Sequence, residues 1–217
     1  MESIKIQTVH ISSFIIQTAD SSHEQYADEI SHLIEKAAEA RGTGISERPP
    51  GYIKKKMRQN NAIIALHKDG SLAGFCYIET WTHGKYVANS GLIVAEEFRG
   101  HGLGRRIKQA VFELSIRKFP GAKIFGITTT PAVMKINSDL GYKPVSFDDL
   151  TRDEDFWDGC QSCPNYDILT RNNRRNCLCT GMLYDPGLEE CQPTDSSQNG
   201  SAKEPDGKTN NENGSMQ

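Results

Sequence analysis

Three glycines crowd into the run Arg99-Gly100-His101-Gly102-Leu103-Gly104-Arg105, between the apolar strand end Gly91-Leu92-Ile93-Val94 and an amphipathic helix. Backbone without Cβ atoms can approach a bulky anion closely, and the first amides of a helix point at it together with the positive end of the helix dipole. A phosphate or pyrophosphate is the natural ligand of such a turn. Two nucleotide readings drop out. The G-x-G-x-x-G fingerprint fails because Arg105 stands three positions after Gly102, and the P-loop fails for want of a Gly-Lys-Ser/Thr ending. A plain tight turn from strand to helix is the competing reading.

A second group lies near the end of the chain. Cys160-x-x-Cys163, thirteen residues and then Cys177-x-Cys179 set four thiols in two close pairs, the donor set of a tetrahedral structural Zn²⁺ site. Two other readings stand beside it. Free cysteines pack as small hydrophobes, or they cycle as a redox pair, which requires a depressed thiol pKa. No His or Asp spacing nearby suggests catalytic zinc. A metal here would clip a last strand, around Leu178 to Tyr184, against a sheet. Arg171, Arg174 and Arg175 make a local basic patch that Asp153, Glu154, Asp155 and Asp158 offset, so nucleic acid is not favoured.

The chain that must position these groups has 217 residues, with 25 Lys+Arg against 28 Asp+Glu and a formal charge of −3. At 36% hydrophobic and 24% charged it has the composition of a globular protein. The start, Met1-Glu2-Ser3-Ile4-Lys5, has an acid where a signal peptide needs bases, and no apolar run approaches the ~18 residues of a membrane span. A cytoplasmic location with reduced thiols and no membrane partner is the expectation. From Gln192 to Gln217 the only apolar residues are Ala202 and Met216, which predicts a disordered tail. The expected organisation is a body over residues 1–150, a Cys-rich extension over 151–191 that completes the fold, and the tail over 192–217.

Within the body, Phe14 to Thr18 reads as a strand, and Ser21 with Glu24 offers a capping box for the helix that follows. Tyr26, Ile30, Leu33, Ile34, Ala37 and Ala38 share one face of that helix, which Gly42 stops. Pro49-Pro50 opens a short helix through Met57. Ala62 to Leu66 and Leu72 to Trp81 are strands joined by a turn at Lys68-Asp69-Gly70, and Tyr86 to Val94 is another. A helix over about 101–118, with Leu103, Ile107, Ala110, Val111 and Leu114 on one face, ends at Pro120-Gly121. Strand 124–128, a short helix from Pro131 to Leu140, and strand 142–147 complete the order β, α, α, β, β, β, α, β, α, β. Such an order predicts an α/β (α+β) fold, a mixed central sheet with helices on both faces.

The run Val94-Ala95-Glu96-Glu97-Phe98-Arg99-Gly100-His101-Gly102-Leu103-Gly104 resembles the acyl-CoA pyrophosphate signature of the GNAT acyltransferase superfamily, and the resemblance extends over roughly residues 13–147. It implies that acetyl-CoA or another acyl-CoA is the cosubstrate. Backbone amides from Arg99 to Arg105 would then hold the pyrophosphate, and Leu92, Ile93 and Val94 would pair through their backbone with the pantetheine arm. The thioester would lie between this strand and Ile124 to Thr128. In the family's second recurrent segment, matched by Ile136 to Tyr142, Asn137 takes the place where many members carry a tyrosine that protonates the leaving thiolate. A thiolate departs with little protonation, so water or the attacking ammonium suffices.

Acyl transfer to an amine requires a neutral amine and therefore a proton acceptor. Glu79 is the first candidate, late in a strand otherwise rich in apolar residues, where desolvation raises a carboxyl pKa. An exposed strand end is the alternative for it. His83 in the next turn and Asn89-Ser90 in the next strand are further candidates. In this architecture the segment joining the first two helices covers the acceptor, and Arg41 and Arg48 on it suit a carboxylate. A solvated basic loop is the alternative there. The string Ala88 to Leu92, with Phe156-Trp157-x-Gly159-Cys160 and Cys177 to Pro186, resembles small bacterial GNAT proteins associated with arginine biosynthesis. That resemblance implies N-acylation of an amino acid such as glutamate from acetyl-CoA or succinyl-CoA, with a homodimer among the states left open. The rival is a catalytically idle acyl-CoA-binding module, which Asn137 keeps open.

Overall fold

A computed structural model of the chain describes residues 13–41 and 48–189, the side chains of Arg41 and Glu189 excepted. The expected tail, Cys191 and loop residues 42–47 lie outside the described residues. The strands are β1 (Phe14–Thr18), β2 (Ala62–His67), β3 (Leu72–Trp81), β4 (Tyr86–Val94), β5 (Lys123–Thr128), β6 (Lys143–Val145) and β7 (Thr180–Tyr184). The helices are α1 (Ala27–Arg41), α2 (Pro50–Arg58), α3 (Leu103–Lys118), α4 (Pro131–Asp139), α5 (Glu154–Asp158), α6 (Tyr166–Arg171) and α7 (Pro186–Glu189).

Among the described residues these strands form one mixed sheet in the order β1-β2-β3-β4-β5-β7-β6. Strands β1 to β4 are antiparallel neighbours, β4 and β5 are parallel, and β7 enters antiparallel between β5 and β6. The Cys-bearing segment therefore contributes a strand to the main sheet. Among the described residues no helix is long and apolar enough to cross a membrane.

Three sequence expectations shift in detail. The capping residue before α1 is Asp20, whose Oδ1 accepts from the Ser22 N–H at 2.9 Å while the His23 ring answers at the Asp20 N–H, 3.2 Å away. Ser21 and Glu24 do not form the box. Glu24 is drawn instead onto Arg58, which grips it with two hydrogen bonds of 2.7 and 2.6 Å. Helix α3 starts at Leu103 because Gly102, at φ 73°, is left-handed and cannot belong to the helix. The segment from 151 onward holds α5 and α6, each too short for apolar periodicity to announce.

Each face of the sheet is covered. On one, Leu103, Ile107, Val111 and Leu114 of α3 pack on Ile63, Ala65, Ile78 and Val87. Burying these four side chains contributes on the order of 8 kcal/mol gross, before chain entropy is subtracted. On the other, Ile30 and Ile34 of α1 and Ile53 and Met57 of α2 pack on Ile64, Phe75, Tyr77 and Ile93. A third cluster joins Trp157 and Leu169 to Phe125, Ala88 and Leu183.

Two irregularities shape the middle of the sheet. Tyr77 faces Ser90 while Phe75 faces Ile93, so β4 carries one residue more than β3 over this stretch, a bulge at Gly91-Leu92. Gly91 is left-handed, at φ 64°, and a Cβ there would lie 2.3 Å from the Tyr77 ring. Gly91→Ala is expected to cost roughly 2 kcal/mol or more, read as a lowered midpoint in urea unfolding; an unchanged midpoint contradicts this packing. The second irregularity is a split. Parallel pairing of β4 with β5 runs only from Tyr86↔Lys123 to Ala88↔Phe125, although both strands continue. A bulged strand bends, and Asn89 and Gly126 are the first residues past the divergence.

Candidate active site

A cleft of about 430 Å³ opens along this split. One wall carries Arg48, Tyr52, Glu79 and Trp81, the floor is Asn89 to Leu92 with Gly126 to Thr129, and the far wall is the Cys-bearing segment.

Glu79 points into the cleft with its side chain 13% exposed. Its Oε1 accepts a hydrogen bond from the Tyr52 hydroxyl and lies 3.8 Å from Lys56 Nζ, and its Oε2 lies 3.9 Å from an Arg48 guanidinium nitrogen. Burial pushes the Glu79 carboxyl up from its ordinary value, and Arg48 and a hydrogen bond from Ser90 pull it only part of the way back. These ion pairs are too loose to offset desolvation. Lys56 pays the corresponding penalty: burial, with Lys55 and Arg48 adding repulsion, pushes its ammonium down to about 8. Arg48 also donates from Nε to the Tyr77 hydroxyl and lies over the Tyr52 and Tyr77 rings. The Trp81 indole N–H is buried in the same wall without an acceptor. The wall thus holds one proton acceptor among several donors.

The other candidates separate. Arg48 and Ser90 join Glu79, while the Arg41 side chain lies outside the described residues. His83 sits exposed at φ 56° in the turn after β3 and is not part of the cleft lining. The alternation of β3 and β4 sends Glu79, Tyr77 and Ser90 to one face and Asn89 to the other, toward α3. There Asn89 donates from Nδ2 to Ser115 at 2.8 Å and accepts at Oδ1 from the Tyr142 hydroxyl at 3.0 Å. It is therefore a tie between sheet and helix rather than a proton acceptor.

At the glycine loop, the Arg106 N–H makes an i→i−4 bond to Gly102 O, at 3.3 Å, and the N–H groups of Leu103, Gly104 and Arg105 precede it. Arg99 donates from Nε to Val94 O at 3.1 Å, closing the turn. Gly100 and Gly102 are both left-handed. Gly104 packs against Val94, where a Cβ would lie 3.7 Å from the Val94 methyl. Arg105 pairs through its side chain with Asp139 of α4, leaving its backbone for a ligand. His101 lies in the turn with Nδ1 buried and unpartnered. Leu92 and Val94 are half-buried, whereas Ile93 turns into the core at 6% exposure, so only its backbone is available. Asn137 is fully buried outside the cleft lining, donating from Nδ2 to Met182 Sδ at 3.6 Å, with its Oδ1 unpartnered.

Cys160, Cys163, Cys177 and Cys179 meet on the far wall as free thiols. Among the described residues no group of three or more His, Cys, Asp or Glu is placed to hold a metal ion. The zinc clip expected from their spacing is thus not assembled. Cys160, Cys177 and Cys179 pack around Trp157, Phe156 and Leu169, and burial with mutual repulsion pushes Cys160 up to about 11 and Cys179 up to about 12. That is the hydrophobe reading, and it runs against a depressed redox thiol.

Sequence reasoning gave no site role to Tyr52, Trp81 and Lys108, and met Lys56 only as part of the basic run Lys54-Lys55-Lys56 beyond the loop over the acceptor. Tyr52 and Lys56 are one helical turn apart on α2, an i, i+4 pair beside the buried Ile53–Met57 pair, a spacing that signals a shared face. Lys108 is 2% exposed on α3.

Residues 28–134 match the acetyltransferase (GNAT) family model. No curated protein matches the chain. Among solved structures, N-acetylglutamate synthase from Neisseria gonorrhoeae, complexed with coenzyme A and N-acetyl-glutamate, is 21% identical, with a TM-score of 0.57. The alignment covers 79% of this chain and 35% of the synthase, so the chain spans about a third of that protein. Rv2747 from Mycobacterium tuberculosis, in complex with CoA, is 17% identical over 79% of this chain and 98% of that one, with a TM-score of 0.56. A phosphinothricin acetyltransferase from Sinorhizobium meliloti, in complex with acetyl-CoA, is 12% identical over 85% and 95%, with a TM-score of 0.53. At these identities the structures speak for the fold alone. The family match makes residues 28–134 a GNAT acetyltransferase family domain.

Proposed function

We propose that the chain moves an acyl group from acyl-CoA directly onto the amine of a small molecule that also carries a carboxylate, an amino acid such as glutamate. The observation that carries this reading is the cleft wall: one desolvated carboxylate, Glu79, among the cations of Arg48 and Lys56 and the spare N–H of Trp81. Cations there suit a carboxylate, which an Arg grips bidentately, and the raised Glu79 is a better base than an exposed carboxylate. The pyrophosphate would rest on the amides of Arg99 to Arg105, and the thioester would enter the split past Ala88 and Phe125. Glu79 then takes a proton from the ammonium of the acceptor, directly or through water, and the neutral amine attacks the carbonyl. In this reading residues 1–150 carry the transfer domain, residues 151–191 wall its cleft, and the protein works in the cytoplasm. The N-acetyl-glutamate in the Neisseria structure supports trying glutamate first and, with it, a role in arginine biosynthesis.

A panel of amino acids and simple alkylamines, offered with acetyl-CoA and with succinyl-CoA, tests the reading by release of CoA thiol. Acceptor-dependent release with amino acids at least ~10-fold faster than with alkylamines of the same length is expected. Saturable CoA binding with no release on any amine would leave the idle acyl-CoA-binding module instead.

A further inference from the structure

Lys108 occupies a place where an ordinary helix would put an aliphatic side chain. It lies on α3 with the Asn89 carboxamide against its ammonium, and it is 2% exposed. No carboxylate pairs with it among the described residues. Its contacts are Asn89 Oδ1 at 3.4 Å and the face of the Tyr142 ring, 5.1 Å from the centroid. An ammonium has three N–H donors and is costly to bury unpaired, and among the described residues its one hydrogen-bond acceptor is the Asn89 carboxamide.

What the ammonium faces is the apex of the split. A Cβ on Gly126 would lie 3.9 Å from Lys108 Nζ, 3.8 Å from Asn89 O and 3.7 Å from Asn137 Nδ2. Gly126 itself lines the cleft. With no side chain on Gly126, only backbone stands at this point between the cleft that Gly126 lines and the buried ammonium, whose Nζ lies 3.9 Å from where a Cβ would be. Asn137, beside this point, has a carboxamide and no proton to give.

We infer that Lys108 hands a proton to the sulfur of the departing CoA, reached past Gly126. The inference rests on the acyl transfer proposed above. In the tetrahedral intermediate the C–S bond breaks and its electron pair goes to sulfur. The Lys108 ammonium supplies the proton of the new S–H bond and is left as a neutral amine. Glu79, having passed its first proton to solvent water, takes the remaining extra proton from the acceptor nitrogen, and Lys108 recovers one from solvent once CoA has left. Burial pushes the lysine down to about 8, close to the ~8.5 of an ordinary thiol, a matched pair for proton transfer. The other titratable groups packed around it are Cys76, pushed up to about 11, Tyr142, held well above 10, and Tyr184 behind Tyr142. Cys76 and Tyr142 stay neutral where Lys108 titrates.

Lys108→Met in the full chain provides the test, with two readouts. In single turnover with acetyl-CoA and the best amino acid of the panel, the variant is expected to be about 10²-fold slower and to lose the decline in rate above pH 8, with CoA affinity within twofold of wild type. In the absence of any acceptor, the ultraviolet absorbance of the thiolate in bound CoA should titrate below its free value in the wild type and at that value in the variant. Equal titrations together with single-turnover rates within threefold overturn the inference. A wild type that shifts the CoA thiol but acylates no amine keeps Lys108 at the sulfur and sinks the acyl-transfer reading instead. Should Lys108→Met fail to fold, Gly126→Ala sets a methyl at this point, at van der Waals distances, with the lysine in place. The same slowing at unchanged CoA affinity supports the inference, and wild-type rates overturn it.

Discussion

Glu79→Gln is expected to lower kcat/KM by about 10²-fold or more while CoA affinity stays within twofold. The substitution keeps the shape of the side chain and the hydrogen bond that Oε1 accepts from Tyr52. It removes the one group on that wall able to take a proton. The pH dependence gives the sharper reading. Glu79 must be ionised to act, and burial raises its pKa above the ordinary 4.5. Wild-type kcat/KM should therefore climb with pH through a limb displaced upward from 4.5, and the variant should be flat there. Removing the charge also leaves Arg48 and Lys56 less compensated, at a cost of about 1–2 kcal/mol. A melting measurement separates that loss from the chemistry. Unchanged kinetics in a folded variant would remove Glu79 as the base.

Lys108→Met should make the protein more stable as it makes it slower. Moving the lysine from an ordinary 10.5 to about 8 on folding corresponds to about 3 kcal/mol of destabilisation wherever the ammonium must be buried charged. Below pH 8 the lysine is protonated in both states and the full penalty applies. Between 8 and 10.5 the folded protein has released the proton while the unfolded chain still holds it, so stability rises with pH. Above 10.5 both are neutral. The variant should melt on the order of 5 °C higher than wild type at pH 7, with the gap closing as pH approaches 10.5. A gap independent of pH would mean the lysine is not buried as a cation. The difference between the two proteins is the quantity to measure, because Cys76 and Tyr142, raised on folding, tilt the wild-type curve the opposite way at high pH.

Much of this frame is legible in the residues. Strand and helix periods predict β1 to β5 and α1 to α4 because each has a full apolar face, and the glycines before α3 stand out because three in seven residues need a reason. Glu79 is legible for a similar cause, a lone carboxylate in an apolar strand. Lys108 is hidden because a one-dimensional pattern shows only that it follows Ile107 and precedes Gln109, as a solvated lysine would. What buries it is the packing of α3 on the sheet beside Asn89 and Tyr142, and no local rule announces that. His83 is misplaced for the converse reason. It is close to Glu79 in sequence, yet the left-handed turn at Thr82 and His83 carries it out to solvent. The cysteines show the limit of spacing alone: two close pairs fit a metal on paper, while the aromatic packing from α5 and α6 settles them among rings.

The position of β7 sets an order of events for the newborn chain. Among the described residues, strand β6 pairs with the sheet only through β7, and β5 finds its second neighbour only there. During synthesis the hydrogen-bonding edge of β5 must wait, open, until Thr180 to Tyr184 have emerged, a long loop to close and hence a late one. The groove where substrate chemistry would occur is therefore the last part of the molecule to be walled in. A ribosome that stalls before residue 180 would display a sticky, half-built sheet to the cell's quality control.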